Sequence, residues 1–105
     1  MNIQNERLVK LLGFLESNPQ DEFVKYALAM EYNKMNDFKN AVLFFDDLLK
    51  NHAQYLPTYY QAAKFYELHD EEKAIELYKK GIELAKAQNN KHTQGELETA
   101  LMILE

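Results

Sequence analysis

Apolar side chains recur along this chain at three- and four-residue spacing, the period of one helix face, with polar residues between them. Leu8, Leu11, Leu12 and Leu15 make one stripe and predict a first helix over about residues 5–17. Asn18-Pro19 ends it, because proline pushes the preceding residue out of the helical region. A second helix is predicted over about 21–35, with Val24, Leu28 and Tyr32 in one line and Tyr26, Ala29 and Met30 beside it. Asp21 and Glu22 suit its start, where free N–H groups and the macrodipole favour negative charge. Asn36-Asp37 makes a turn, and Asp37 is the expected N-cap of a third helix reaching about residue 50. That helix carries Ala41, Phe44, Phe45 and Leu48 at helical spacing.

Residues 51–55 read as a connector, and Pro57 suits the first turn of a fourth helix carrying Tyr59, Ala62, Ala63 and Tyr66 to about residue 68. Asp70 is the next expected N-cap, followed by Glu71 and Glu72. The fifth helix then runs to about residue 87 with Ile75, Tyr78, Ile82 and Ala85 inside. Gln88-Asn89-Asn90 is a turn, and a last helix over about 91–104 has Leu97, Ala100, Leu101 and Leu104 as its stripe. Glu96 and Glu98 lie off that stripe, and a polar outer side is what a terminal helix needs to stop open-ended stacking.

Part of this pattern occurs twice. Leu28-Ala29, Tyr32, Ala41 and Phe45 return as Gln61-Ala62, Phe65, Ala74 and Tyr78, each 33 residues later. Small and aromatic residues at fixed offsets over such a period signal stacked helical hairpins. Two crossing helices approach closely where a small side chain meets a large one. Ala29, Ala41, Ala62 and Ala74 are the small members here, and Tyr32, Phe45, Phe65 and Tyr78 the fillers.

Both copies resemble the tetratricopeptide repeat, whose pattern is Trp-x2-Leu-Gly-x2-Tyr, then Ala-x3-Phe, then Pro. Gly81 belongs to the second match. The chain departs from the pattern where Lys25 and Thr58 stand for Trp, Gln61 for Leu, and Ala53 and Lys86 for Pro. Arg7, Leu11 and Pro19 resemble the closing half of a preceding repeat. The Thr-Pro-Leu-His signature of ankyrin repeats is absent. The resemblance implies a single bacterial-style domain of about six helices. Residues 1–19 would be a half repeat, 20–53 and 54–87 two repeats, and 88–105 a capping helix. The implied fold is all-α, a right-handed superhelical stack of antiparallel hairpins whose first helices line a concave face.

Carried onto this chain, the inner positions are Phe23, Tyr26, Met30 and Asn33 in repeat one and Leu56, Tyr59, Ala63 and Tyr66 in repeat two, with Tyr60 nearby. Tyr, Phe and Met give large, adaptable contact area, which suits a groove for a peptide or helix of another protein. Relatives that clamp a chaperone's C-terminal carboxylate use Lys and Asn where this chain has Tyr26 and Met30, so no such clamp is expected; Lys25 and Lys64 do not rebuild it.

Composition narrows the classes. With 105 residues, 47% hydrophobic and 28% charged, the chain has the makings of one folded domain and is not disordered by composition. A net charge of −5 argues against nucleic-acid or anionic-membrane binding. The absence of cysteine removes disulfides, thiolate metal sites and thiol nucleophiles. The longest strictly apolar run, 41–45, is too short to span a bilayer. Residues 1–10 lack a basic segment followed by an apolar run, so no signal peptide is expected and the cytoplasm is the default location.

Candidate chemistry is sparse. His52, His69 and His92 have no metal-ligand spacing and read as surface or turn residues. Asp46-Asp47 are neighbours on a helix, point apart, and read as a solvated face. Lys79-Lys80 and Lys86 form a minor basic strip. No triad, phosphate-binding glycine loop or deaminase motif can be assembled. The expectation is a non-catalytic adaptor or assembly factor without cofactor or metal. The rivals are a homodimer formed through the inner face or a terminal helix and, last, an enzyme.

Overall fold

A computed structural model describes residues 5–105; residues 1–4, part of the expected half repeat, lie outside the described residues. Among the described residues there are six helices and no strand: α1 (Glu6–Ser17), α2 (Glu22–Lys34), α3 (Phe38–Asn51), α4 (Pro57–Glu67), α5 (Glu71–Ala87) and α6 (Lys91–Leu104). The chain divides into two compact units, Met1–Ala53 and Gln54–Glu105.

Local chemistry explains where the helices begin and end. Asp21, Asp37, Asp70 and Asn90 each accept a hydrogen bond from the backbone N–H three residues on, at 3.1, 3.3, 3.2 and 3.0 Å. One orphan donor is thereby satisfied at four helix starts. Asn36 and Asn89 take left-handed φ values of 61° and 57°, which asparagine tolerates better than most residues. After Asn36, the N–H of Asp37 donates to the Tyr32 carbonyl at 2.9 Å, and after Asn89 that of Asn90 donates to Ala85 at 2.9 Å. These 6→1 bonds close α2 and α5 with the Schellman arrangement.

In the first unit, Leu11, Val24, Ala27 and Leu28 form a buried cluster against which Leu8, Leu15, Tyr32 and Phe44 pack. The small crossing residues Ala29 and Ala41 are fully buried, as are Phe45 and Leu48. Tyr32 and Phe44 stack with ring centroids 5.9 Å apart. The stripe predicted for α1 is narrower than expected, because Leu12 is exposed while Leu11 is buried. α1 packs mainly on α2, and one neighbour covers only a narrow arc of a helix.

In the second unit α5 packs against both α4 and α6. Gly81 is the reason both can approach. A Cβ there would stand 2.8 Å from the Tyr59 Cβ and 3.0 Å from Leu97 Cδ1. Ala62, Ala74, Tyr78, Ala85 and Leu97 are fully buried around it.

Candidate functional site

The predicted inner residues separate into two groups. In the first unit they stay accessible. Phe23 is 63% exposed, and Tyr26, Met30 and Asn33 are half-buried. Phe23, Tyr26 and Met30 line a cleft of about 390 Å³ together with Arg7 of α1 and Glu31 and Lys34 of α2. Glu31 is almost fully buried, and Arg7 Nε meets its Oε1 at 3.2 Å.

In the second unit Leu56, Tyr59, Ala63 and Tyr66 are buried, and only Tyr60 keeps a partly open face. Tyr59 lies over Gly81, and burial raises its hydroxyl pKa despite the opposing charge of Lys80. Tyr66 packs edge-on to Phe65 at 5.0 Å and carries the Lys73 ammonium 4.3 Å from its ring centroid. These tyrosines hold the unit together.

The accessible cleft of this unit lies between α4 and α6 and measures about 610 Å³. Tyr60 and Lys64 come from α4; Lys91, His92, Gly95, Glu96, Thr99, Ala100 and Ile103 come from α6. The sequence reading placed only Tyr60 near it. The available signal was register, since Tyr60 and Lys64 stand 33 residues after Ala27 and Glu31. Tyr60 meets Tyr78 edge-on at 6.4 Å, and the Lys64 ammonium lies 5.6 Å from the Tyr60 centroid. The buried Tyr78 hydroxyl donates to Glu67; burial first, then that bond and the charge of Glu67, push its pKa upward.

A polar cluster in the first unit was not foreseen. Lys25 is 4% exposed. Its ammonium meets Asp47 Oδ2 at 2.8 Å, His52 Nε2 at 3.1 Å and Gln20 Oε1 at 3.2 Å. An ammonium has three donors and no lone pair, so Nε2 must accept. The imidazole proton then sits on Nδ1, which faces Glu22 Oε2 at 3.3 Å. His52 is therefore an interior link beside the α3 C-terminus and not a surface residue, and Asp47 is turned inward where a solvated face was expected. Partial burial raises the Asp47 pKa, but hydrogen bonds from Lys25 and Asn51 and the neighbouring charges more than offset this and hold it below 3.8. Lys25 is thus committed inside the fold, far from any role as a clamp.

Of the other histidines, His69 packs on the Phe65 ring at 4.5 Å and His92 lies 3.6 Å from Glu96. Among the described residues no His, Cys, Asp or Glu cluster is arranged to hold a metal ion. No described helix is long and apolar enough to cross a membrane.

Two solved structures are similar to this chain. One is a solution NMR structure of a tetratricopeptide repeat domain protein from Salinibacter ruber, 35% identical over 84% of this chain and 90% of that one, with a TM-score of 0.79. The other is a crystal structure of a tetratricopeptide repeat domain protein from the same organism, 34% identical over 80% and 96%, with a TM-score of 0.75. No protein-family model and no curated protein matches the chain.

Proposed function

This chain belongs to the tetratricopeptide repeat family, and on that premise we propose that it is a non-catalytic interaction module, an adaptor or assembly factor acting in the cytoplasm. It holds a peptide or helix of a partner protein against its inner helices. The observation that carries this reading is the cleft of the first unit. Phe23, Tyr26 and Met30 remain accessible on α2 of a protein that buries its other aromatic residues at the same register. Aromatic and Met side chains that stay open around a cleft suit an adaptable apolar partner.

A pull-down from host lysate with the parent and with a Phe23→Ala, Tyr26→Ala, Met30→Ala variant tests it. Tyr59 and Tyr66 are left intact, because their loss would unfold the unit. A protein enriched by the parent and not by the folded variant supports the reading. Equal enrichment by both moves the interface off α2.

Self-association is the second reading, favoured by the exposed Val9, Leu12 and Phe14 on α1. Light scattering across concentrations separates the two, since a monomer throughout excludes a stable homodimer.

A further inference from the structure

We infer that the cleft between α4 and α6 receives an acidic protein segment, one with carboxylates at one end and an apolar side chain about five residues away. The inference rests on the reading of the inner helices as the interaction surface.

Charge is the first argument. The chain carries a net −5, yet this cleft gathers Lys64, Lys91 and the His92 imidazole against the single carboxylate of Glu96. The existing pairs are weak competitors for a ligand. Lys64 meets Glu67 at 3.5 Å and His92 meets Glu96 at 3.6 Å, all four side chains being solvent-accessible. Accessible ion pairs of this kind contribute little and exchange readily. Lys91 is exposed and forms no ion pair among the described residues. A segment of like sign to the whole molecule is therefore attracted only here, and a basic segment is repelled.

Shape gives the second argument. A Cβ built on Gly95 has nothing within 4 Å, so the α6 backbone lies open to close approach at the middle of the cleft. The α6 wall is cationic at Lys91 and His92 and apolar at Ala100 and Ile103. From Lys91 to Ile103 the helix advances roughly 18 Å at 1.5 Å per residue. An extended chain covers that in about five residues at 3.4 Å each. Ile103 is 78% exposed and gives the far end an apolar contact.

The test uses the full chain labelled with 15N and a synthetic hexapeptide with two glutamates at one end and a leucine at the other. Controls are the same peptide with lysines for the glutamates and an uncharged one with glutamines. Saturable amide shifts on α4 and α6 are expected with the acidic peptide. They should weaken at least tenfold in Lys64→Glu, Lys91→Glu and with rising salt. Both variants change exposed side chains, and circular dichroism checks their fold. If the lysine or glutamine peptide binds this cleft as well as the acidic one, the acidic preference is wrong and the groove reading stands. If no peptide shifts these amides, both fall for this unit.

Discussion

Lys25 and Thr58 stand 33 residues apart at one position of the repeat, and the two repeats treat that position differently. Both side chains are buried, at 4% and 0% exposure. Lys25 spends all three donors on Asp47, His52 and Gln20. Thr58 Oγ1 has no partner. The counterparts of the Lys25 partners in repeat two explain this. Asp47 corresponds to Lys80, which pairs with Glu76 at the surface, and His52 to the buried Ala85. A long cationic side chain can reach polar groups across a hairpin, whereas a short hydroxyl cannot. The slot therefore tolerates a polar residue under two regimes, one satisfied and one bearing an unmade hydrogen bond.

A second pair differs in the opposite sense. Tyr59 is buried over Gly81, while the same register in repeat one holds the half-buried Tyr26 and the fully buried Leu48. Glycine in one repeat admits a tyrosine that the other leaves in its cleft. One repeat position thus serves packing in the second unit and stays available for contact in the first.

The largest break in this comparison is expected from Lys25→Ala. It leaves the Asp47 carboxylate facing His52 without its cation and should cost about 3 kcal/mol in urea unfolding. Lys25→Met, which fills the slot with an apolar chain of similar length, should lose far less. Equal losses from the two would show that volume, and not the polar cluster, matters at this position.

Gly81→Ala comes next. Its new methyl must displace Tyr59 and Leu97, and a cost of about 2 kcal/mol is expected. Nuclear Overhauser contacts between Tyr59 and α5 should weaken in parallel. A variant that melts like the parent would remove glycine as the reason Tyr59 is buried.

Thr58→Val should act in the other direction. Removing an unpartnered buried hydroxyl while keeping the shape is expected to raise stability by about 1 kcal/mol. A loss instead would mean that the hydroxyl has a partner, most simply a water.

The smallest effect concerns pH. The Asp47 carboxyl is held below its ordinary 3.8, so its contribution is present above that value and fades as pH falls through the lower folded value. Melting temperatures of the parent and Asp47→Asn should differ near neutrality and converge in acid. A gap that persists unchanged in acid would assign the difference to something other than this charge.

Helix positions were legible in the sequence because their determinants are local. Apolar spacing of three and four residues, and a cap bonded three residues on, are contained within one turn or two. The family was legible for a related reason, since the crossing alanines and their aromatic fillers recur at one offset. The candidate site was legible only in part. Phe23, Tyr26, Met30 and Asn33 fell on an accessible face of α2, but repeat register carried the same expectation onto Leu56, Tyr59, Ala63 and Tyr66, which are buried. Whether a tyrosine faces a cleft or a core depends on what stands opposite, and for Tyr59 that is Gly81, 22 positions away, and Leu97 on a third helix.

The Lys25 cluster had the same obstacle. Its members come from residues 20, 22, 25, 47 and 52, and nothing in their spacing marks them as partners. The sequence by itself determined the helices, their caps and the repeat, because those follow from interactions between near neighbours. Tertiary structure alone decided which polar groups meet and which aromatic faces stay open, because both depend on contacts between helices that the chain brings together only on folding.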